Sequence, residues 1–158
     1  MRKQKGFSLI ELLIVVAIIL IIAAIAIPNL LRSRIAANES SAVGSMRSIN
    51  TAQVTYASTY PDVGFAGTLL ALGPIASAGA APTSANSGLL DGVLGCGSMP
   101  CNKSGYKFGL SGGGATYATH GDPITSGQSG QRQFFSDPSG VIRYNQSAVA
   151  TASDLPLQ

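Results

Sequence analysis

The chain has 158 residues, enough for one modest domain, and 11% of them are charged, less than half of the usual quarter. Three of its ten basic residues, Arg2, Lys3 and Lys5, precede residue 7, and the rest of the chain carries seven basic and seven acidic side chains. A formally neutral body offers no basic face for DNA or RNA, and a single histidine with seven carboxylates argues weakly against an enzyme.

An apolar segment follows these basic residues. Residues 12–27 are sixteen consecutive apolar residues, and Phe7–Ile27 as an α-helix would be about 31 Å long, which matches the hydrocarbon thickness of a bilayer. The basic residues before it predict a cytoplasmic N-terminus, so that everything after Pro28 faces the periplasm or the exterior. The alternative is a secretory signal peptide cut after Ala26, but the segment exceeds the usual length of roughly 7–15 apolar residues and contains Glu11.

Glu11 is the one charged residue of this segment. A carboxylate there either reaches the cytoplasmic headgroups as a tolerated interfacial residue, or it is paired and functional. The second interpretation is favoured by the residues around it, which are Lys5-Gly6-Phe7-Ser8-Leu9-Ile10-Glu11-Leu12-Leu13. They resemble the processing motif of the type IV pilin family, which includes the type II secretion pseudopilins, and the resemblance extends to about residue 60.

The resemblance implies a maturation reaction and a mode of assembly. A membrane prepilin peptidase would cut between Gly6 and Phe7, remove a leader of residues 1–6 and methylate the new amine of Phe7. In a filament, Glu11 would be buried and would pair with the cationic Phe7 amine of a neighbouring subunit, which sets the axial register. An inner-membrane assembly platform and its ATPase are further partners that the resemblance implies.

Pro28 either ends the membrane span or bends one long helix, since proline lacks an N–H and clashes with the preceding turn. We predict a kink there, because a helical pattern resumes directly after it. The apolar positions of this pattern are Leu31, Ile35, Ala42, Met46, Ile49, Tyr56 and Tyr60. Their period is close to 3.6, which predicts that the transmembrane helix of residues 7–28 continues as an amphipathic helix over residues 29–60.

The remainder of the chain predicts a loop and a sheet. Residues 61–103 are rich in Gly, Ala, Ser and Pro without a sustained period, and they predict a long irregular loop that resembles the αβ-loop of pilins. Within it, Leu69–Leu72 and Leu89–Leu94 are candidates for short helical turns that dock on the head. Residues 104–158 predict three or four antiparallel strands and a polar tail that folds back over the head. The candidate strands are Tyr106–Leu110, Ala115–His120, Gln133–Phe135 and Val141–Asn145.

These elements predict an α+β fold. A long N-terminal helix, transmembrane in its first half and amphipathic in its second, packs on a small antiparallel sheet. This is the architecture that the resemblance to pilins also implies.

Cys96 and Cys101 are the two cysteines of the chain. The predicted topology places both in an oxidising compartment, which favours a disulfide between them. A zinc site is the alternative, but two ligands are too few for one and His120 is far away in the sequence.

Other candidate chemistry is weak. Gly112–Gly114 lacks the Lys-Ser/Thr that follows in a phosphate loop, and His120 has no triad spacing, which predicts an ordinary strand histidine. Some major pseudopilins hold calcium in their C-terminal region, but Asp122, Asp137 and Asp154 follow no recognised calcium loop. We therefore predict no catalytic residue, no metal and no cofactor.

The sequence thus predicts a structural subunit of a type IV pilus-like filament, held in the inner membrane before assembly and exposed at the cell surface after it. Its partners would be membrane lipid, the prepilin peptidase, the assembly machinery and other copies of itself, and not nucleic acid. A type II secretion pseudopilin is the alternative, and the disulfide and low-charge head favour the surface pilus over it. A membrane-anchored periplasmic binding protein that never polymerises fits less well, because an anchor alone does not require Glu11.

Overall fold

A computed structural model describes residues 6–77 and 79–157. The predicted leader, apart from Gly6, lies outside these residues. The chain divides into two compact units, the first ending at Arg34 and the second beginning at Ile35.

Helix α1, Leu9–Thr59, is 51 residues long. It begins two residues after Phe7 and ends just before Tyr60-Pro61, where the residue before proline is disfavoured in a helix. Its N-terminal part is the one candidate membrane span among the described residues, with a mean hydropathy of 3.3 over 18 residues. The helix is continuous through Pro28, and the predicted kink stays a prediction.

The second half of α1 buries one face within the second unit. Its buried side chains are Glu39, Ala42, Val43, Ser45, Met46, Ile49, Ala52, Gln53 and Tyr56. The period of this stripe confirms the amphipathic pattern, but its predicted start at Leu31 was wrong, because Leu31 is 43% exposed and burial begins at Glu39. Three polar residues, Glu39, Ser45 and Gln53, lie in the stripe, and all three were absent from the predicted pattern.

Within the part of the chain that the structure describes, the sheet has six antiparallel strands in the order of the chain. They are β1 Cys101–Lys103, β2 Tyr106–Gly113, β3 Thr116–Pro123, β4 Gln133–Ser136, β5 Arg143–Asn145 and β6 Leu155–Pro156. The antiparallel sheet is therefore confirmed, but the predicted count of three or four strands was wrong. The loop predicted for residues 61–103 already contains β1, and the C-terminal tail pairs with β5 as β6.

The core lies between α1 and one face of the sheet. Alternate residues of the central strands are fully buried against the helix, among them Tyr106, Phe108, Tyr117 and Phe134. Burying each large apolar side chain stabilises the fold by about 1.5–3 kcal/mol. The α+β architecture of a long helix packed on a small antiparallel sheet is pilin-like, as predicted.

The long loop contributes to this core through its leucines. Leu69–Leu72 forms helix α2, and the hydroxyl of Thr68 accepts a hydrogen bond from the Ala71 N–H at its start. Leu89–Leu94 is a turn rather than a helix, and it buries Leu90 and Leu94. Both segments therefore dock on the head, although only Leu69–Leu72 is helical.

Gly112–Gly114 covers the last two residues of β2 and the first residue of the turn to β3, and it contacts the loop after α1. Phe65 pairs with Gly114 through two main-chain hydrogen bonds of 2.8 and 2.9 Å. A Cβ at Gly67 would lie 2.8 Å from the Gly112 carbonyl oxygen, and Gly113 has a φ of 130°. The glycine run therefore allows two backbones to approach closely, which is a structural role.

Candidate functional site

The segment that precedes α1 is exposed and is not helical. Gly6, Phe7 and Ser8 are exposed and lie outside the helix, and the Phe7 side chain is 82% exposed. Apart from its chain neighbours, no described residue has an atom within 4 Å of a Cβ placed on Gly6. Packing among the described residues therefore gives no reason for glycine at position 6, and both residues of the Gly6–Phe7 peptide bond are exposed.

The carboxylate of Glu11 lies at the first turn of the helix. The main-chain N–H of Ser8 donates a hydrogen bond to Glu11 Oε2 at 2.9 Å. Ser8 is the residue before the first helical residue, so this is the reach-back bond of a capping box, in which an acidic side chain satisfies a free N–H at the helix start. A carboxylate at this end also interacts favourably with the positive end of the helix dipole. The interfacial residue considered above is thus also a helix cap.

The apolar side chains of Phe7–Ile27 point away from this chain. The large ones are between 44% and 82% exposed, on every side of the helix. A helix that is apolar all round requires lipid or other apolar helices as its surroundings. The same helix then carries the exposed residues Arg32 and Arg34 a short distance after Pro28. Because proline has no N–H, the Ala24 carbonyl lacks its main-chain partner at this point.

Glu39 and Arg132 form a partly buried ion pair that the sequence pattern did not predict. Glu39 Oε2 accepts a hydrogen bond from Arg132 Nε at 2.7 Å, and Oε1 accepts the N–H groups of Gln131 and Arg132 at 2.9 and 3.1 Å. Burial alone would raise the pKa of Glu39, but these hydrogen bonds and the Arg132 charge outweigh it and hold that pKa below its ordinary value. A carboxylate at a stripe position, three residues before Ala42, was the signal that could have revealed it.

Arg132 also contacts two aromatic rings. Its guanidinium carbon lies 5.7 Å from the centre of the Phe134 ring and 5.6 Å from that of Tyr144. The arginine thereby joins the loop after β3 to the start of the buried stripe of α1 and to two neighbouring strands. Its role is to attach the sheet to the helix.

Cys96 and Cys101 form a disulfide, as predicted, with their Cα atoms 5.7 Å apart. Both sulfurs are used in this bond, which removes them as zinc ligands. Cys101 is the first residue of β1 and is buried in the core. The disulfide therefore ties the end of the long loop to an edge of the sheet, next to the exposed ion pair of Asp91 and Lys103, whose atoms are 2.8 Å apart.

The three aspartates that were considered as calcium ligands lie in different parts of the head. Among the described residues, no three His, Cys, Asp or Glu side chains lie close enough to hold a metal. Asp137 holds the turn before β5 through the N–H of Ser139, and Asp154 binds the N–H of Thr151. Asp122 lies on β3, where burial raises its pKa. The three aspartates therefore have separate positions.

Comparison with known proteins identifies the N-terminal segment. A family model described as the prokaryotic N-terminal methylation motif matches residues 1–27. The chain is 67% identical over 39 residues to the type IV wide pilus major component PilA4 of Thermus thermophilus, a match that covers 25% of this chain and 30% of that protein. It is 46% identical over 54 residues to the type IV major pilin protein PilA of Myxococcus xanthus, covering 34% and 24% respectively.

These matches confirm the resemblance to type IV pilins at the N-terminus. Each spans less than a third of the relative's length. No solved structure matches the chain significantly. The chain therefore carries the methylation motif of prokaryotic prepilins on a helix that continues into a head of pilin-like architecture.

Proposed function

We propose that this chain is the structural subunit of a type IV pilus-like filament, inserted in a membrane, cleaved after Gly6, N-methylated at Phe7 and polymerised through α1. The observation that carries the proposal is the coincidence of the methylation motif on residues 1–27 with a helix whose apolar side chains are exposed on every side. A monomeric soluble protein would not expose such a surface.

Cleavage between Gly6 and Phe7 is supported by the open segment before α1. A peptidase needs an extended backbone that it can bind on both sides, and a glycine without a Cβ allows close approach. The reaction releases an α-amine at Phe7, which is mostly cationic at neutral pH because its ordinary pKa is about 8. Methylation of that amine would keep its charge.

Assembly then places Glu11 among apolar helices, where an isolated carboxylate is strongly disfavoured. We propose that the Phe7 amine of a neighbouring subunit becomes its partner and thereby selects the axial position of each incoming subunit. The Ser8 N–H holds the carboxylate at the end of the helix where that amine arrives. The apolar contact itself replaces lipid contact, so its net contribution is much smaller than the buried area suggests.

The proposed topology follows from charge. The three basic residues of the leader would keep the N-terminus in the cytoplasm, and the head would fold in the oxidising compartment outside, where the disulfide is stable. The prepilin peptidase, membrane lipid, an assembly platform with its ATPase and further copies of the chain are the partners. The filament would be displayed at the cell surface.

The proposal is tested with Glu11→Gln, which removes the charge and keeps the size. We expect processing and membrane insertion as in the wild type, but at least about tenfold fewer filaments in sheared surface material, because a buried amine would lose its counter-charge. Asp62→Asn is the matched control, since Asp62 is exposed and lies after the helix. Wild-type filament yield from Glu11→Gln would refute the role of Glu11, and a mature N-terminus other than methylated Phe7 would refute the processing.

The location of the filaments separates the proposal from its alternatives. Filaments confined to the periplasm would identify a type II secretion pseudopilin. Processed chain that stays in the membrane without filaments would identify an anchored binding protein. The disulfide, the low charge of the head and the two pilus components among the relatives favour a surface pilus.

A further inference from the structure

The end of the apolar segment carries a groove with one cation. Ile27, Leu30, Leu31 and Arg34 line a groove of about 180 Å³ on α1. They occupy positions i, i+3, i+4 and i+7 and therefore share one face of the helix. The three apolar side chains are 64%, 71% and 43% exposed, so the groove is open in this chain.

The direction of the Arg34 side chain explains why it belongs to the groove. The Cα–Cβ bonds of a helix tilt toward its N-terminus, so the side chain of Arg34 leans back over Leu30 and Leu31. Its aliphatic stem can lie along apolar surface while the guanidinium stays at the polar edge. Arg34 is seven residues, about 10 Å, beyond Ile27, which is headgroup depth when Phe7–Ile27 spans the hydrocarbon.

Arg34 forms no ion pair with any residue that the structure describes. Residues 12–38 contain no Asp or Glu. The two ion pairs of the described residues are Lys103–Asp91 and Arg132–Glu39, and Arg34 is in neither. The groove therefore combines an apolar wall with a guanidinium, and this combination is complementary to a phospholipid, whose acyl chains are joined through glycerol to a phosphate.

We infer that this groove binds one anionic phospholipid, with the phosphate on Arg34 and an acyl chain against Ile27, Leu30 and Leu31. The inference rests on the membrane insertion in the proposed function and names the lipid class that holds the monomer before assembly. Guanidinium suits phosphate because it donates two parallel N–H bonds. The bound lipid has to be released when the subunit leaves the membrane.

Arg32 provides the matched control. It has the same charge, is exposed on the same helix and lies only two residues from Arg34, but it is about 200° around the helix axis and outside the groove. General attraction to an anionic surface would depend on both arginines about equally. A lipid site in the groove would depend on Arg34 and not on Arg32.

The experiment uses the full mature chain in phosphatidylcholine vesicles, with spin-labelled phosphatidylglycerol or spin-labelled phosphatidylcholine as the probe. The fraction of motionally restricted lipid measures how strongly each lipid binds. We expect the wild type to prefer phosphatidylglycerol, Arg34→Gln to lose about fivefold in that preference, and Arg32→Gln to keep most of it. Arg34→Lys keeps the charge but not the planar fork, and we expect an intermediate preference.

Equal losses in Arg32→Gln and Arg34→Gln would overturn the site in favour of general surface charge. An unchanged preference in Arg34→Gln would overturn it as well, and restricted lipid that disappears as the chain self-associates would assign the groove to a second copy. Flotation with the vesicles is measured separately. Wild-type chain that does not float contradicts the proposed membrane insertion, whereas floating chain without lipid preference contradicts the lipid site alone.

Discussion

The ion pair between Glu39 and Arg132 should stabilise the head far more than a surface pair does. Glu39→Gln keeps the side-chain size, and the remaining carbonyl oxygen can still accept the N–H groups of Gln131 and Arg132. The new amide group, however, would face Arg132 Nε, so that a charge-assisted bond of 2.7 Å is replaced by two opposed donors. Such a bond contributes about 1.5–3 kcal/mol.

The two side chains differ in exposure, and this sets the expected magnitude. Glu39 is 9% exposed and Arg132 is 32% exposed, so solvent weakens the interaction from the arginine side. We therefore expect Glu39→Gln to lower the free energy of unfolding by about 2 kcal/mol. Arg132→Gln should cost more, because it leaves a buried carboxylate without its cation and removes the contact with two aromatic rings.

The assay is urea unfolding of the mature chain in detergent micelles, followed by the near-ultraviolet circular dichroism of its five tyrosines. Asp91→Asn is the control, because the pair of Asp91 and Lys103 is 51% and 31% exposed and should contribute less than about 1 kcal/mol. A double-mutant cycle of Glu39 and Arg132 isolates the coupling between them.

The contribution of Glu39 to the stability of the head should decrease as the pH falls. The folded-state pKa of Glu39 is below its value in the unfolded chain, so its contribution is complete above the unfolded value of about 4.3. It is lost as the pH falls through the folded pKa, and the wild type and Glu39→Gln should converge in stability there. A difference that is as small as that of Asp91→Asn, or that is the same at every pH, would refute the reasoning.

Two further substitutions probe the attachment of the long loop. Gln53 Nε2 donates to the Ala66 carbonyl at 2.9 Å, and Gln53 Oε1 accepts the Ala66 N–H at 2.8 Å, both in the buried interior. Gln53→Leu leaves these two main-chain groups unpaired, so it should lower the free energy of unfolding in urea by about 2–3 kcal/mol. A loss smaller than that of Asp91→Asn would contradict this. Replacing both Cys96 and Cys101 by alanine should cost about 2 kcal/mol, the closure entropy of a short loop, in the same assay. Alkylation of the untreated wild type should add no mass, and any added mass would show free thiols.

Local sequence was sufficient where a side chain's role depends on its near neighbours. The exposed apolar helix follows from sixteen consecutive apolar residues, because main-chain bonds inside a helix need no other element. The disulfide follows from two cysteines five residues apart. Gly6, Phe7 and Glu11 belong to a contiguous motif that the sequence shows directly, and their roles in processing and assembly stay predictions.

The sequence alone did not predict which residues far apart in the chain would become partners. β6 is two residues long, too short to show a period of two, and it exists because β5 offers it hydrogen bonds from 11 and 13 residues away. β1 was missed for its length alone, since its partner β2 follows directly after Ser104 and Gly105. The buried position of Glu39 depends on Arg132, which is 93 residues away. Gln53 similarly depends on Ala66 across the end of α1.

The amino-acid order by itself determined that one end of this protein is a continuous apolar helix with the methylation motif of prokaryotic prepilins, and that its head is α+β. Only tertiary structure decided which helix positions are buried and how many strands the sheet has. The physical reason is that a helix closes its own hydrogen bonds within four residues, whereas a short strand or a buried charge is stable only when a distant segment supplies its partner.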